Sequence, residues 1–292
     1  MSANLKIGKL VVIGVGLIGG SFALALKNAK VVKHVVGVGR SRRNLAAALK
    51  RRIIDEASTE AAQAVADADL VLLAMPVGQM AEVMANIAPH LPQYAVVTDG
   101  GSTKQDVVAY GRRFLGAHFP RFVPAHPIAG TENSGATAAF AGLYRGRNVI
   151  VTPQPETTAR ALRLVRAAWQ QCGAGIVRLE AREHDAIFAA VSHLPHVLVF
   201  ALVNALARRP DAKKLFGFSA GGLRDTVRIA GSSPEMWRDI CMANRDELLA
   251  ALDDYEGELE SVRSAIESGD RATLGRMFEH AREARNKWLK RD

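Results

Sequence analysis

Residues 10–26, LVVIGVGLIGGSFALAL, constrain the fold of this chain more than any other stretch. They begin as a short apolar strand, pass through several glycines and continue as an apolar helix. The glycines match the pattern G-x-G-x-x-G at the strand-to-helix junction. Glycines there permit a tight turn and close approach of a pyrophosphate, and the free N–H groups of the helix face the phosphate. The residues predicted to contact a dinucleotide are Gly14, Gly16, Leu17, Ile18 and Gly19.

The same stretch contains no charged residue, so a membrane span and a signal-peptide core are the alternatives. A span needs about 20 apolar residues, and glycine is a poor helix former. A signal peptide needs a cleavage site after its core, whereas LKNAKVVKHVVGV leads directly into another strand pattern. The two cysteines, Cys172 and Cys241, have no metal-like spacing and are typical of a reducing compartment. We therefore expect a cytoplasmic protein with no membrane partner.

Short apolar strands alternate with helical patterns up to about residue 179. The run DLVLLAMPV is almost unbroken and is typical of a parallel strand covered on both faces. Residues 1–181 are therefore predicted to form an α/β, Rossmann-type doubly wound sheet that binds the dinucleotide, with Met75 and Pro76 also contacting it. Residues 182–292 show no strand pattern and are predicted to form an all-α helical domain. Pro195 is expected to bend or break a long helix there.

The end of the second strand bears on the choice of cofactor. In NAD-binding folds an acidic residue about 20 residues beyond the glycines binds the ribose hydroxyls. Gly39 stands at that position, and Arg40, Ser41 and Arg42 follow it. Arginine can bind a phosphate with two hydrogen bonds, and the missing carboxylate removes a repulsion. We predict that these four residues contact the ribose phosphate of NADP, with NAD as the alternative.

The chain carries a formal net charge of +9 and has an isoelectric point of about 9.8. Such a charge could suit a nucleic acid, but no recognition-helix, RNP or zinc-finger pattern accompanies it. Aromatic residues make up only 6% of the chain, which is poor for stacking on bases. A phosphorylated cofactor and an anionic substrate also suit a positive field, so we expect no nucleic-acid partner.

His126 is the first candidate for chemistry, because it follows a strand at the edge of the sheet where ligands bind in open α/β folds. An imidazole titrates close to neutral pH and can accept a proton in a reaction. A structural histidine is the alternative. Upstream, GGSTK follows another strand and opens a helix. Ser102 or Thr103 is expected there as the N-cap by default.

Five motifs in order resemble the prephenate/arogenate (cyclohexadienyl) dehydrogenases of tyrosine biosynthesis, and the resemblance covers nearly the whole chain. They are GVGLIGGS (14–21), GSTK (101–104), HPIAGTENSG (126–135), SHLPH (192–196) and RDTVRIAGSSPEMWRDI (224–240). The first is shared by many dehydrogenases, and the later ones are far more specific. The resemblance implies oxidative decarboxylation of a cyclohexadienol with hydride transfer to a nicotinamide, in a homodimer built from the helical domain.

The resemblance also implies roles for individual residues. His126 matches the catalytic histidine, Ser102 the serine that hydrogen-bonds and orients it, and Arg228 the arginine that binds a substrate carboxylate. His193 and His196 lie at the substrate pocket, and a metal is not expected because this pair lacks a third ligand. Leu223 and Val227 depart from the usual aromatic residue and threonine beside the arginine. Two further residues implied to line the pocket are Glu132 and Trp237.

Several alternatives stay open at this point. A β-hydroxyacid dehydrogenase would also combine a Rossmann domain with helices, but it would need a lysine in the first helix of the second domain, and residues 183–206 contain none. A non-catalytic NADP-sensing protein would bind cofactor without using His126 or Arg228. The sequence does not decide between prephenate and arogenate. Little chain follows the helical domain, so any inhibition by tyrosine is expected at the active site.

Overall fold

The computed structural model describes residues 5–131 and 133–290. The chain forms two compact units, Met1–Asn244 and Arg245–Asp292. The first unit contains every described strand and the helices as far as residue 243. The boundary between these two compact units therefore lies further along the chain than residue 181. The predicted domain boundary at residue 181 stays a prediction.

Six parallel strands form the central sheet of the first unit. The strands are Ile7–Ile13 (β1), Val32–Val38 (β2), Glu56–Ser58 (β3), Leu70–Leu73 (β4), Val96–Asp99 (β5) and Phe122–Val123 (β6). Their order across the sheet is β3-β2-β1-β4-β5-β6. The strand order reverses between β1 and β4, as in a doubly wound Rossmann-type sheet. The predicted fold class of this part of the chain is confirmed.

Six helices accompany the strands of this part. They are Leu17–Asn28 (α1), Arg42–Lys50 (α2), Ala61–Ala64 (α3), Met80–Ile87 (α4), Gln105–Phe114 (α5) and Ala159–Gln171 (α6). Successive residues of β1 enter different cores: Leu10 and Val12 pack on the side of α1 and α6, and Val11 and Ile13 pack on the side of α4 and α5. Both faces of the sheet are buried, which explains the unbroken apolar runs of its strands.

A second, smaller sheet lies beyond the sixth strand. It consists of Ala125–Pro127 (β7), Asn148–Val151 (β8) and Gly175–Arg178 (β9), with β7 antiparallel and β9 parallel to β8. The prediction of one continuous sheet is wrong here. Pro124 has no N–H for a strand ladder, and the N–H of Ala125 donates to Asp99 Oδ1 at 2.9 Å. The chain therefore leaves the first sheet between Val123 and Ala125.

The described chain contains no strand after Arg178. In the first unit it forms Ala181–Phe188 (α7), Leu194–Ala207 (α8), Ala212–Gly217 (α9), Gly221–Val227 (α10) and Pro234–Ala243 (α11), and in the second unit Arg245–Glu267 (α12) and Arg271–Leu289 (α13). A π-helical turn, Ala189–His193, joins α7 to α8. Pro195 does not break this run: it lies in the first turn of α8, directly after the π-helical turn. The predicted bend stays a prediction.

The run Ala181–Ala207 is long and apolar enough, by length and composition alone, to cross a membrane. Its most apolar window has a mean hydropathy of 2.0, and 22% of that window is buried within the chain. Val191 is 67% exposed and Leu202 is 38% exposed. This helical run therefore keeps part of its apolar surface exposed within the single chain.

Candidate active site

The turn between β1 and α1 has the geometry of a dinucleotide-binding turn. Gly14 has φ +98°, and a Cβ on it would lie 2.4 Å from the carbonyl oxygen of Ala74. A Cβ on Gly19 would lie 2.3 Å from the carbonyl oxygen of Gly14. A Cβ on Gly16, in contrast, would meet nothing within 4 Å. Gly14 and Gly19 are needed by the turn itself, and Gly16 leaves open space beside the first N–H groups of α1.

The start of α1 suits an anion. The helix has no side-chain cap on its N-terminus and no acidic residue in its first turn. Its free N–H groups and the positive end of its dipole favour a phosphate there. The residues of this turn therefore fit the pyrophosphate of a nicotinamide dinucleotide.

The loop after β4 lies against this turn. The N–H of Ala74 donates to the carbonyl oxygen of Ile13 at 2.8 Å, and the position of a Cβ on Gly14 is blocked by Ala74. Met75 and Pro76 follow directly and are half-buried. The structure thus brings these two predicted cofactor contacts beside the glycine turn.

Gly100 connects the dinucleotide turn to the strand of the candidate histidine. A Cβ on Gly100 would lie 3.1 Å from Ile18 Cγ2 and 3.7 Å from Pro127 Cδ. Ile18 belongs to the first turn of α1, and Pro127 is the neighbour of His126 in β7. The structure therefore places the predicted cofactor site and the predicted catalytic histidine on the same side of the molecule.

The basic segment after β2 is open to solvent. Ser41 caps α2, since its Oγ accepts a hydrogen bond from the N–H of Asn44 at 3.2 Å. The side chains of Arg40 and Arg42 are exposed, and no carboxylate pairs with either of them within residues 5–131 and 133–290. A Cβ on Gly39 would make ordinary contact with Leu45 at 3.6 Å. Packing therefore does not exclude a larger residue, including an acidic one, at position 39.

His126 lies in β7 at one end of a hydrogen-bonded chain of three side chains. Its Nδ1 is 2.8 Å from His184 Nε2. His184 Nδ1 in turn donates to Asp185 Oδ1 at 2.7 Å. Phe188 stacks on His184 with ring centroids 4.5 Å apart and contacts His126 edge-on at 4.9 Å. His184 and Asp185 are fully buried, whereas His126 keeps some solvent exposure.

The surroundings keep these imidazoles neutral. Burial lowers the pKa of His126 well below its ordinary value, and the neighbouring His184, Lys104 and His193 lower it further. Burial also lowers the pKa of His184, although the hydrogen bond to Asp185 opposes this effect. A neutral imidazole has one lone pair available to accept a proton. His126 therefore has the protonation state that a general base requires at neutral pH.

Asp185 also caps α5. Its Oδ1 accepts the N–H of Lys104 and its Oδ2 accepts the N–H of Gln105, both at 2.8 Å. Burial raises the pKa of the Asp185 carboxyl, but the hydrogen bonds from His184 and from these two N–H groups outweigh burial and leave the pKa below its ordinary value. The predicted N-cap is wrong: α5 is capped by a residue about eighty positions later in the chain, and not by Ser102 or Thr103.

Ser102 lies in the GGSTK turn and is half-buried. The hydrogen bonds of the described residues do not include one between Ser102 and His126, whose Nδ1 is bound to His184. The orienting role of Ser102 stays a prediction. The turn itself is held by a buried ion pair: Lys104 Nζ donates to Asp99 Oδ2 at 2.5 Å, and the same oxygen accepts the N–H of Gly101 at 2.8 Å. Because Asp99 also binds Ala125, it ties this turn to the strand of His126.

A second cluster forms around Trp237 in α11. The ring of His196 stacks on it with centroids 3.6 Å apart and an interplanar angle of 21°. His196 Nδ1 donates to the carbonyl oxygen of Ser192 at 2.8 Å. Burial and the positive charge of Arg228 lower the pKa of His196. The structure thus brings three predicted pocket residues together, with Arg228 exposed at the start of the turn Arg228–Gly231.

His193 is placed differently from His196. It is 1% exposed, and its Nδ1 lies 3.0 Å from Asn244 Nδ2. The same amide group donates to the backbone oxygen of Asp185 at 2.8 Å. Burial lowers the pKa of His193 to about 4. The ring of His193 also lies edge-on to that of Trp237, with centroids 6.0 Å apart, so His193 connects the second cluster to the hydrogen-bonded chain of His126. Glu132 lies outside the described residues.

The sequence interpretation missed His184, Asp185 and Asn244. The only sequence signal of the first two is a polar His-Asp pair in a helix that is otherwise apolar in its second half. No spacing rule relates this pair to His126, because the two segments meet only through the fold. Asn244 carries no sequence signal of its own.

The chain matches known protein families and solved structures. The family described as "Prephenate dehydrogenase, nucleotide-binding domain" matches residues 22–178, and "Prephenate dehydrogenase, dimerization domain" matches residues 180–280. A prephenate dehydrogenase of Bacillus subtilis is 35% identical over 94% of this chain and 74% of its own length. A cyclohexadienyl dehydrogenase of Zymomonas mobilis is 36% identical over 94% of both chains. The crystal structure of prephenate dehydrogenase from A. aeolicus with hydroxyphenyl propionate and NAD+ has a TM-score of 0.90 at 34% identity, covering 99% of this chain and 100% of that one.

Proposed function

Since this chain belongs to the prephenate dehydrogenase family, we propose that it oxidises and decarboxylates prephenate, arogenate or both, with NADP as its preferred hydride acceptor. The observation that carries this proposal is the position of His126. Its neighbour Pro127 lies near Gly100, which in turn lies near Ile18 of the first turn of α1. His126 is hydrogen-bonded to His184 at 2.8 Å, and its surroundings keep it neutral. The products would be 4-hydroxyphenylpyruvate from prephenate and tyrosine from arogenate.

The proposed reaction needs a base next to the hydride acceptor. A bound nicotinamide would supply the hydride acceptor for the ring carbon that bears the hydroxyl group. His126 Nε2 takes the proton of that hydroxyl, so its oxygen becomes a carbonyl oxygen. The bond from the ring to its carboxylate then breaks, CO2 leaves, and the ring becomes aromatic as the carbonyl oxygen regains a proton. Ser102, in the neighbouring turn, is proposed to hydrogen-bond His126 and to help orient it.

The second cluster supplies the proposed substrate contacts. Arg228 is exposed and cationic, and a guanidinium can bind a carboxylate with two hydrogen bonds. His196 is half-buried and stacked on Trp237, whereas His193 is buried with its Nδ1 bound to Asn244. We infer that His196 contacts the ligand and that His193 supports it. Glu132 is retained as a proposed pocket residue from the family resemblance.

NADP is preferred over NAD in this proposal because of the segment after β2. Two exposed guanidiniums without carboxylate partners in the described chain, Arg40 and Arg42, lie where the ribose of the cofactor is expected. Ser41 adds a hydroxyl donor, and Gly39 leaves the position of the ribose-binding acid without a carboxylate. Both features favour a 2′-phosphate over a free hydroxyl.

A homodimer in the cytoplasm is the proposed state of the protein. Part of the apolar surface of Ala181–Ala207 is exposed in the single chain, and exposed apolar patches mark interaction surfaces. The matching family description of residues 180–280 as a dimerization domain supports the same proposal. We further propose that residues 1–181 bind the dinucleotide and that residues 182–292 bind substrate and the second copy.

The test is formation of reduced cofactor, followed by absorbance, with prephenate and arogenate each offered NAD and NADP. We expect turnover in at least one NADP mixture and weaker turnover with NAD. Turnover only with NAD would contradict the cofactor proposal and leave the reaction intact. No turnover in any of the four mixtures, from folded protein that binds NADP, would overturn the proposed reaction and favour a cofactor-sensing role.

A further inference from the structure

We propose that His184 and Asp185 are positioning residues that hold His126 as its Nδ1–H tautomer and so leave the lone pair on Nε2 for the proton of the substrate. This inference rests on the proposed function, in which His126 is the base. From the buried end of the hydrogen-bonded chain at Asp185, the direction of each hydrogen bond is fixed by the one before it.

Asp185 fixes the direction of its hydrogen bond with His184. Its two oxygens accept the N–H groups of Lys104 and Gln105 at 2.8 Å each. A backbone N–H can only donate, and an ionised carboxylate can only accept. Asp185 Oδ1 therefore also accepts from His184 Nδ1 at 2.7 Å. The proton of neutral His184 is consequently on Nδ1, and its lone pair is on Nε2.

The direction of the hydrogen bond between His184 and His126 follows from that. His184 Nε2 has no proton, so the 2.8 Å contact with His126 Nδ1 is a hydrogen bond only if His126 donates. The proton of neutral His126 is therefore on Nδ1, and Nε2 carries the lone pair. The partner of an imidazole generally sets which of its nitrogens is protonated. Here one carboxylate sets the tautomer of two imidazoles in sequence.

The hydrogen-bonded chain of His126, His184 and Asp185 also suits the positive charge that forms on His126 during the reaction. When His126 Nε2 takes a proton, the Nδ1–H group still donates to His184, which still donates to Asp185. The other charged or titratable groups that face this chain are Lys104, Asp99 and His193. The positive charge of Lys104 is paired with Asp99 at 2.5 Å, so Asp185 is the anion that the chain presents to a protonated His126.

Asp185→Asn tests the direction of these hydrogen bonds. Asp185 Oδ1 accepts from both the Lys104 N–H and His184 Nδ1, and Oδ2 accepts from the Gln105 N–H, so the amide of asparagine leaves one of these donors facing its NH2 group. Where the NH2 group faces His184 Nδ1, His184 accepts there and carries its proton on Nε2, and His126 then carries its proton on Nε2 as well. In either orientation the neutral amide removes the anion that stabilises a protonated His126. We expect kcat to fall roughly 10²- to 10⁴-fold, the scale seen when a base is held in the wrong tautomer. KM and the Kd of the cofactor should stay within about threefold.

His184→Gln and His184→Phe form a matched pair. Glutamine can accept from His126 Nδ1–H with its oxygen and donate to Asp185 with its NH2 group. Phenylalanine preserves the ring that stacks on Phe188 but makes neither hydrogen bond. We expect His184→Gln to retain at least tenfold more kcat than His184→Phe. The opposite ranking would show that the ring matters for packing alone and would overturn the proposal.

The tautomer is read directly by ¹⁵N NMR of histidine-labelled protein without substrate, since protonated and unprotonated ring nitrogens have well-separated shifts. His126→Gln identifies the signals of His126, and the exposed His34→Gln serves as control. We expect Nδ1 of His126 to be protonated in the wild type, and a population protonated on Nε2 to form in Asp185→Asn. Protonated Nε2 in the wild type would overturn the proposal.

This readout requires no turnover, so it separates the two hypotheses. If the protein oxidises no cyclohexadienol and the Nδ1–H tautomer is observed, the proposed function fails and the tautomer assignment stands. If Asp185→Asn does not fold, the wild-type spectrum and the two His184 variants still decide the question.

Discussion

His126 is the residue on which the proposed chemistry depends most. Its Nε2 is the proposed proton acceptor, and asparagine offers no comparable base. We expect His126→Asn to lower kcat by roughly 10²- to 10⁴-fold, the usual contribution of a general base. The measurement is steady-state turnover with saturating substrate and cofactor. The Kd of the cofactor should be unchanged, and a kcat within tenfold of the wild type would remove His126 from this role.

Arg228 is expected to act in binding. Its guanidinium lies near the stacked pair of His196 and Trp237 and is proposed to bind a substrate carboxylate. We expect Arg228→Ala to raise KM by about tenfold or more, with a smaller effect on kcat, because a charge-assisted hydrogen bond contributes roughly 1.5–3 kcal/mol. Arg224→Ala is the matched control, since Arg224 is also exposed and lies one turn earlier. Equal effects of the two substitutions would argue against a specific carboxylate contact.

At the scale of elements, the segment between β2 and α2 is predicted to select the cofactor. Replacing Arg40 and Arg42 with alanine should weaken NADP binding by tenfold or more and leave NAD binding within about threefold, because only NADP carries the 2′-phosphate. Gly39→Asp should shift the preference further toward NAD, and position 39 has room for a side chain. Fluorescence titration of both cofactors measures the ratio. Equal losses for NAD and NADP would show that this segment does not contact the 2′-phosphate.

The elements also show what sequence patterns can and cannot predict. The strands of the central sheet and the glycine turn were predictable, because apolar runs and glycine spacing are local consequences of burial and of tight turns. The second sheet was not, since its separation depends on Pro124 and on a bond from Ala125 to Asp99. The cap of α5 by Asp185 was equally invisible, because a hydrogen bond across 81 positions leaves no periodic pattern. The residues of the glycine turn were therefore easier to predict than the partners of His126.

At the scale of the whole molecule, the uncovered face of α8 leads to a prediction about assembly. Leu202 is 38% exposed, and we propose that a second copy of the chain covers the surface to which it belongs. Leu202→Glu would then place a charge in the interface and should shift the protein from dimer to monomer in analytical ultracentrifugation. Leu49→Glu is the control, since Leu49 is 40% exposed on α2 and should leave the dimer intact. A wild-type protein that sediments as a monomer would contradict this prediction.

The buried histidines make the stability of the whole fold depend on pH. His193 has a pKa of about 4 in the folded chain and about 6.5 when unfolded. The unfolded state therefore binds this proton first as the pH falls. The stabilisation that the neutral form provides is complete above pH 6.5 and is lost progressively between pH 6.5 and 4. From these two pKa values, protonation of His193 should lower the free energy of unfolding by about 2 kcal/mol as the pH falls from 7.5 to 5.

His193→Gln isolates this contribution. Glutamine can still accept the hydrogen bond from Asn244 Nδ2, but it does not titrate. Urea unfolding at a series of pH values should show a shallower loss of stability in His193→Gln than in the wild type. His126 and His184 also have lowered pKa values, so the variant should retain part of the pH dependence. Parallel curves for the two proteins would mean that His193 titrates in the folded chain as it does in the unfolded one.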